Sequence, residues 1–248
     1  MPIYDYDGTT KTEIGTIYDN DGTVKTQIGY VYDYDGTTKS LIFGGNPLSG
    51  VAVGSIVYLT EGGAYKPFYV AQHGYPTSGN GRTLLLRQNV YKVDSWDSQD
   101  HNTYATTDGD AWLNGTYLGL LGATEQANIA PVSIPYTPMG GDTSVSMLNR
   151  KIFLLSMAEF GFGANAYRNQ EGTALAILPT VYIQIAKDDS GTAVTQFTRS
   201  PEITSTSNVW VLGTAGQAQD DPTGNPQGIR PALTLPSSIS VNSNNQII

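Results

Sequence analysis

Three short apolar runs decide the fold: Ser55-Ile-Val-Tyr-Leu59, Pro67-Phe-Tyr-Val-Ala71 and Thr83-Leu-Leu-Leu-Arg87. Two clusters of turn-forming residues separate them, Glu61-Gly-Gly63 and Thr77-Ser-Gly-Asn-Gly81. Short apolar runs bounded by Gly-rich clusters are typical of β-strands. We therefore predict three consecutive strands in this part of the chain.

The chain beyond these runs predicts two helices among further strands. Apolar side chains from Trp112 to Leu121 recur on one helical face, with Asp108 or Asp110 as the N-cap. A second short helix is predicted over residues 123–129, and a capping box at Ser156 and Glu159 opens another short helix. Two helices inside a series of short strands predict an α+β fold. The further predicted strands are Lys151–Leu155, Thr180–Ile185, Ala193–Phe197, Val209–Leu212 and Ala232–Leu235.

The N-terminal segment contains a repeat of 14 residues, marked by Tyr4, Tyr18 and Tyr32. In each unit an Asp-Gly pair, a strong turn signal, lies between two strand-like pieces, so each unit predicts a strand, a tight turn and a strand. Such short units must stack on neighbours or on other chains to build a core. We predict a stalk or docking segment at residues 1–45 and a linker at residues 46–53.

The repeated Asp-x-Asp-Gly sequence leaves calcium binding open as an alternative. Asp19 and Asp21 resemble the start of a calcium loop, but Thr and Lys stand where further oxygen ligands are needed. Turn chemistry explains the pattern with fewer requirements. We therefore predict no cofactor, with calcium at Asp19 and Asp21 as the alternative.

The composition excludes several classes of protein. The 248 residues contain 13 basic and 22 acidic side chains, a formal net charge of −9 and no cysteine. Disulfide frameworks, Cys-type zinc sites and thiol nucleophiles are excluded, and the absence of a Lys/Arg cluster argues against nucleic acid as a partner. No apolar run approaches the roughly 18 residues of a membrane span, and the N-terminus does not have the pattern of a signal peptide. We expect no membrane insertion and no cleaved leader.

Four short motifs give the chain a resemblance to a known family. They are Trp112-Leu-Asn-Gly-Thr-Tyr117, Lys151-Ile-Phe-Leu-Leu-Ser156, Thr198-Arg-Ser-Pro201 and Gly228-Ile-Arg-Pro-Ala-Leu-Thr-Leu-Pro236. In this order and spacing they resemble a domain family of unknown function that recurs in phage and prophage tail proteins. The resemblance covers about Gly54 to Pro236 and implies a C-type-lectin-like core. We therefore predict a domain at residues 54–236, followed by a polar tail at residues 237–248.

The motif residues also have a physical interpretation. Arg199 and Arg230 each lie beside a proline at a strand boundary, where a guanidinium can satisfy several loop carbonyls. We predict that both are buried structural residues, with ligand binding as the alternative. Trp112 is predicted to be a core residue. Trp96 and Trp210 have polar or variable surroundings and are predicted to be exposed aromatic platforms.

The sequence offers little support for catalysis. His73 and His101 stand in no metal-ligand or nucleophile pattern. Oxidation by formylglycine-generating enzymes, which share the lectin-like fold, depends on cysteine and is therefore excluded. Asp108, Asp110, Glu125 and Glu171 are available for glycan hydrolysis, but Asp is also an ordinary capping residue at helix starts. We predict that the protein is not an enzyme.

The resemblance and the polar surface together predict a phage tail adhesin. It would bind a bacterial surface glycan or protein, contact other tail proteins, assemble as a homotrimer and reside in the virion. A variable protein of a diversity-generating system is a special case of this prediction. The alternatives are a structural tail or baseplate decoration protein and a glycan hydrolase. The predicted ligand-binding residues are Asn208, Trp210, Gln217, Gln219, Asp220 and Asn225, together with Trp96.

Overall fold

The computed structural model describes residues 45–178 and 181–248, together with the backbone of six strands within residues 1–44. These six strands pair as three antiparallel hairpins, so the predicted pairs of strands in the repeat are confirmed. The side chains of Asp19 and Asp21 lie outside the described residues, as do the Asp-Gly pairs on which the predicted turns fall. The strands are β1 (Ile3–Tyr6), β2 (Lys11–Ile14), β3 (Tyr18–Asn20), β4 (Lys25–Gln27), β5 (Val31–Tyr34) and β6 (Lys39–Phe43).

In the rest of the chain, more residues lie in strands than in helices. The helices are α1 (Asp108–Trp112), a π-helical turn (Leu113–Tyr117), α2 (Leu118–Leu120) and α3 (Ala123–Asn128), with 3-10 turns at Leu48–Gly50 and Tyr104–Thr106. The strands are β7 (Asn46–Pro47), β8 (Ile56–Glu61), β9 (Ala64–His73), β10 (Arg82–Arg87), β11 (Lys92–Asp94), β12 (Val132–Tyr136), β13 (Ser146–Arg150), β14 (Ile152–Phe153), β15 (Ala186–Lys187), β16 (Ala193–Val194), β17 (Gln196–Pro201), β18 (Asn208–Leu212), β19 (Ala218–Pro222), β20 (Gln227–Ile229), β21 (Ala232–Pro236) and β22 (Ser240–Val241).

Two five-stranded sheets organise the domain. The first sheet has the antiparallel order β14-β21-β10-β9-β8, and the second has the order β11-β20-β17-β18-β19, in which only β17 and β20 run parallel. Apolar side chains of both sheets and of the helical segment belong to one continuous buried cluster, which includes Leu85, Val211 and Leu113. The chain passes from the second sheet to the first at Arg230 and Pro231, between β20 and β21.

The predicted α+β, C-type-lectin-like fold class is wrong. Strands account for 37% of the chain and helices for 12%, and the one extended helical segment has 13 residues. The second predicted helix, α3, has only six residues. The capping box forms, because Ser156 and Glu159 each donate a backbone N–H to the other's side chain, yet it starts only turns. Within the described residues, none of the helices has the length and apolar character that a membrane span requires.

Most local predictions agree with the structure, although the predicted strand Lys151–Leu155 is reduced to β14 and the predicted strand Ala193–Phe197 is divided between β16 and β17. The three opening runs form β8, β9 and β10, and the later runs at Val209 and Ala232 form β18 and β21. The N-cap of α1 is Thr107, whose Oγ1 accepts the backbone N–H of Asp110, rather than either predicted aspartate. Residues 181–185 form turns and not the predicted strand, and Thr180 lies outside the described residues.

The predicted linker and polar tail are parts of the packed domain. Strand β7 pairs with β22, and Leu48 is fully buried. The backbone of Val241 passes so close to Gly45 that a Cβ there would lie 2.5 Å from the Val241 carbonyl oxygen. Val241 and Ile247 are also buried, and Ile247 donates its N–H to the carbonyl of Tyr58. The domain boundaries predicted at residues 54 and 236 are therefore too narrow.

Candidate ligand-binding site

The environments of the three tryptophans differ from those predicted. Trp96 is 0% exposed and stacks on Tyr104, and Trp210 is 9% exposed and donates its indole N–H to the carbonyl of Tyr167. The prediction that they are exposed platforms is wrong, because their large apolar rings contribute to the core. Trp112, predicted to be a core residue, is only partly buried and packs on the edge of that core.

Trp112 lies in a small cleft at one edge of the second sheet. The cleft has a volume of about 260 Å³ and combines edge strand β11, the start of α1 and the end of β20. Trp112 is the last residue of α1, and its ring packs 5.2 Å from Tyr91 and 5.4 Å from Tyr117, measured between centroids. We call this site the Trp112 cleft; its lining residues are Lys92, Asp94, Ser95, Asp108, Gly109, Trp112 and Ile229.

Charged groups surround the indole ring of Trp112. The Lys92 Nζ lies 4.1 Å from the ring centroid and 2.6 Å from the Asp94 carboxylate. This hydrogen bond from Lys92 lowers the pKa of Asp94, and hydrogen bonds from Ser98 lower the pKa of Asp108. Both carboxylates are exposed and ionised at neutral pH, so they are available as hydrogen-bond acceptors.

This arrangement is suited to a ligand with an apolar face and several hydroxyl groups. An indole ring offers a flat apolar surface, carboxylates accept hydrogen bonds from hydroxyls, and an ammonium donates them. The lining has two carboxylates against one ammonium, so its formal charge is −1. The cleft therefore favours neutral or cationic ligands over anionic ones.

A family model for a domain of unknown function, DUF6273, matches residues 80–237. This is well over half of the chain. The chain belongs to the DUF6273 family. No curated protein and no solved structure matches the chain. Every residue that lines the Trp112 cleft lies within the matched DUF6273 region, whereas β8 and β9 of the first sheet precede it.

Of the ligand-binding residues predicted around residues 205–227, all but Asn225 lie on a hairpin of the DUF6273 domain, and Asn225 follows this hairpin in a bend. Strands β18 and β19 form this hairpin, and β19 is the edge of the second sheet opposite β11. The Asn208 side-chain amide donates to the Asp220 carboxylate over 2.8 Å. The predicted surface and the Trp112 cleft therefore lie at opposite edges of one sheet. The predicted residues that are exposed are Gln217, Gln219, Asp220 and Asn225.

A buried asparagine that sequence reasoning missed holds the chain before this hairpin. Asn102 is buried, and its side-chain nitrogen lies within hydrogen-bond distance of the carbonyls of Glu202, Ser205 and Asn208. Its side-chain oxygen accepts the N–H of Gly140. Asn102 follows a polar segment and has no distinctive sequence neighbours, so a single sequence contains no signal for this role.

A second cleft of the DUF6273 domain contains a buried ion pair. This Asp110 cleft has a volume of about 560 Å³. Arg150 Nε donates to the two Asp110 oxygens over 2.9 and 2.7 Å, and Asn114 donates to the same carboxylate. Burial nevertheless raises the pKa of Asp110 to about 6. Its lining residues are Ala105, Thr106, Thr107, Asp110, Ala111, Asn114, Leu118, Pro131, Asn149, Arg150 and Lys151, so Asp110 is the one carboxylate among them.

The four carboxylates considered for hydrolysis do not face one common cleft. Asp108 lines the Trp112 cleft and Asp110 lines the Asp110 cleft. Glu125 accepts the backbone N–H of Thr60, and Glu171 is fully buried and accepts hydrogen bonds from Thr137 and Ser200. Hydrolysis of a glycosidic bond uses two carboxylates that flank one bond, and these four do not supply such a pair in either cleft.

The two histidines and the acidic residues form no metal site within the part of the chain that the structure describes. Both ring nitrogens of His73 have hydrogen-bond partners, the Thr83 hydroxyl at 2.8 Å and the Val51 carbonyl at 2.9 Å. His101 is exposed and lies 3.5 Å from the Asp97 carboxylate.

The two motif arginines are both buried inside the DUF6273 domain. Arg199 donates to the carbonyls of Pro135 and Leu154 and forms a 2.7 Å ion pair with Glu159. Arg230 donates to the carbonyls of Arg87 and Ile183. Both guanidiniums thus bond to main-chain carbonyls, but only Arg199 has a carboxylate partner among the described residues.

Proposed function

We propose that this protein is a receptor-binding protein of a phage or prophage tail that binds a bacterial surface glycan in the Trp112 cleft. The observation that carries the proposal is the partly exposed indole of Trp112, bordered by the Asp94 and Asp108 carboxylates and by Lys92. A sugar ring can stack its C–H face on the indole once it displaces the Lys92 ammonium, which lies 4.1 Å from the ring centroid, and its hydroxyls can then bond to the charged groups. The formal charge of the lining favours a neutral sugar or an amino sugar.

The cleft is small compared with the usual 300–1,000 Å³ of pockets for drug-sized ligands. It can therefore hold one sugar residue, such as the end of a longer glycan. A single small site gives weak binding, and several copies in one assembly multiply it. Multivalency is the physical reason for proposing an oligomer, and three copies are what the resemblance to phage tail proteins implies.

The tail setting rests on the sequence motifs and on the N-terminal repeat. The four motifs resemble a tail-associated family, and the three hairpins of residues 1–44 precede the domain. We propose that these hairpins attach the domain to other tail proteins or to copies of itself. Because β7 belongs to the domain, the truncation that tests this should remove residues 1–44 and keep Gly45.

The experiment compares binding of fluorescently labelled protein to a panel of bacterial cells and to a glycan array. Trp112→Ala should lower binding at least tenfold, since the stacking surface is lost, and Asp94→Asn should lower it with little effect on folding. Tyr65→Ala is the matched control, because Tyr65 is an exposed aromatic outside the cleft. We expect the control to bind like the wild type.

A second variant distinguishes binding at the two edges of the second sheet. Gln219→Ala removes an exposed side chain of β19 on the surface that the sequence predicted. Loss of binding in Gln219→Ala together with normal binding of Trp112→Ala would assign the site to the hairpin and overturn the cleft. Absence of wild-type binding to every cell and glycan would favour the structural tail protein instead.

A further inference from the structure

A third cleft of the domain, which the proposed function does not use, is lined by the buried guanidinium of the motif residue Arg230. It has a volume of about 340 Å³ and lies where β9, the residues after β10 and the segment before β15 come together. We call it the Arg230 cleft; its lining residues are Tyr69, Gln88, Asn89, Val181, Tyr182, Ile185, Lys187 and Arg230.

Arg230 is a buried cation without an ionic partner in the described residues. It is 2% exposed, its Nε donates to the Arg87 carbonyl over 2.8 Å, and its Nη1 donates to the Ile183 carbonyl over 2.7 Å. Nη1 also lies 3.5 Å from the side-chain oxygen of Gln196, and all three acceptors are neutral. No Asp or Glu oxygen of residues 45–178 and 181–248 lies within 4.0 Å of its nitrogens, and Nη2 has no acceptor among the same residues.

Burying a charge without a counter-charge is costly, and the charge responds by favouring its neutral form or by pairing. Burial lowers the pKa of Arg230 to about 10, which still leaves it charged at neutral pH. The neighbouring Arg87 does not compensate it, because Arg87 is a second cation and pairs with Glu61 over 3.0 Å. An anion in the cleft would supply the missing partner.

The rest of the lining is also suited to an anion. Lys187 adds a second, exposed cation, the amides of Gln88 and Asn89 add donors, and the lining contains no carboxylate. The carboxylate bonded to Asn89, Asp189, is already paired with Lys66 and Arg87. The formal charge of the lining is therefore +2, in a chain whose net charge is −9.

The side chains of the lining indicate which class of anion the cleft would bind. Two ring side chains and two aliphatic ones form its apolar part, and Tyr182 is 82% exposed at its rim. Because two of the three guanidinium nitrogens already bond to carbonyls, only Nη2 remains for a ligand, with Lys187 as the second charged donor. Two charged donors match the two oxygens of a carboxylate, whereas a phosphate offers three oxygens and a higher charge.

We propose that the Arg230 cleft binds a small organic carboxylate, with the carboxylate at Arg230 and Lys187 and the organic part against Tyr69 and Tyr182. This site is separate from the Trp112 cleft, and the proposal does not depend on the proposed function. The two clefts have opposite formal charges, so they would select different ligands.

The experiment is an NMR titration of the isotope-labelled full-length protein with glucuronate, with glucose as the neutral match. Glucuronate should shift the amide signals of Gln88, Asn89 and Lys187, and glucose should leave them unchanged. Lys187→Gln should weaken glucuronate binding about two- to fivefold, as expected for an exposed charge. Arg230→Lys should weaken it at least tenfold, because the fixed fork of the guanidinium is lost.

Lys151→Gln is the matched control, since it removes a lysine of the Asp110 cleft, and it should bind glucuronate like the wild type. If Arg230→Lys does not fold, Lys187→Gln and Gln88→Met still test the cleft.

Equal shifts with glucose, or unchanged affinity in Lys187→Gln, would overturn the proposal. Tighter binding of inorganic phosphate than of glucuronate would overturn the assignment to a carboxylate. Trp112→Ala should leave the titration unchanged, so failure here is distinguishable from failure of the proposed function.

Discussion

Arg199 and Arg230 are two buried arginines in similar sequence contexts, but their surroundings differ in one respect. Arg199 is fully buried within hydrogen-bond distance of three main-chain carbonyls, and its Nη1 lies 2.7 Å from Glu159. Burial lowers its pKa, but Glu159 together with Tyr75 and Glu171 outweighs burial, and the pKa is raised. For Arg230, burial is unopposed by any carboxylate and lowers the pKa to about 10. Two arginines can therefore be equally buried and still differ in charge balance: Arg199 has a counter-charge, and Arg230 has none among the described residues.

The largest expected effect is the loss of the Arg199 cation. Arg199→Met leaves Glu159 buried without its partner, and Glu171 loses a nearby positive charge that lowers its pKa. We expect a loss of about 3–5 kcal/mol in the free energy of unfolding, because an uncompensated buried charge is costly. Urea unfolding followed by tryptophan fluorescence measures it.

The matched control for this prediction is the double variant Arg199→Met with Glu159→Gln, which removes both charges. It should recover part of the loss, since no unpaired carboxylate remains at residue 159. A loss below about 1 kcal/mol in the single variant would mean that Arg199 is not held by its ion pair, and the comparison with Arg230 would lose its basis.

The Asp110–Arg150 pair tests an intermediate case, in which burial outweighs pairing at the carboxylate. The pKa of Asp110 is raised to about 6 from the ordinary 3.8. Between these values the folded state binds the proton more tightly than the unfolded state, so stability falls as the pH rises through this window. As the pH rises through this window, we expect the free energy of unfolding to decrease by roughly 3 kcal/mol relative to that of Asp110→Asn, since each pKa unit corresponds to about 1.4 kcal/mol.

Urea unfolding of both proteins at several pH values from 4 to 7 measures this difference. The Asp110→Asn protein provides the baseline, because its other carboxylates titrate as in the wild type. A wild-type stability that rises relative to Asp110→Asn across this window would show that the Arg150 pair dominates instead.

A smaller effect on stability is expected at Arg230. Arg230→Met removes two charge-assisted hydrogen bonds but leaves no carboxylate unpaired in the described residues, so we expect a loss of about 2 kcal/mol. It should also abolish stabilisation by glucuronate, which the wild type gains through preferential binding to the folded state. A thermal unfolding series with increasing glucuronate measures both effects.

For this variant, glucose serves as the neutral control ligand. Two results together would show that both arginines have the same structural role. Arg230→Met would lose as much stability as Arg199→Met, and glucuronate would not stabilise the wild type.

The sequence predicts the strands of this domain better than it predicts its surface. The runs at Ile56, Leu84 and Leu233 form strands, in which pairing in a sheet satisfies the backbone while their apolar residues are buried. The helix that begins at Asp108 is predicted for a similar local reason, its apolar face. These features depend on neighbouring residues and are visible in a single sequence.

The features that the sequence does not predict depend on distant partners. Trp96 looks exposed among polar neighbours, yet its ring packs on Phe197, about a hundred positions away. The partner of Arg199, Glu159, is separated from it by 40 positions, and nothing local shows that Arg230 has no such partner. The tail at residues 237–248 is polar in composition, but its backbone pairs with β7 and β8, and most of its few apolar side chains are buried.

The most direct test of the proposed binding function uses the indole N–H signals of the three tryptophans. Trp96 and Trp210 are buried, whereas Trp112 lines the cleft that we propose as the sugar site. In a titration of the full-length protein with N-acetylglucosamine and other neutral hexoses, we expect the Trp112 signal to shift and those of Trp96 and Trp210 to stay in place. A shift of the Trp210 signal alone would place binding at the β18–β19 hairpin, and three unmoved signals with every sugar would contradict glycan binding in the Trp112 cleft.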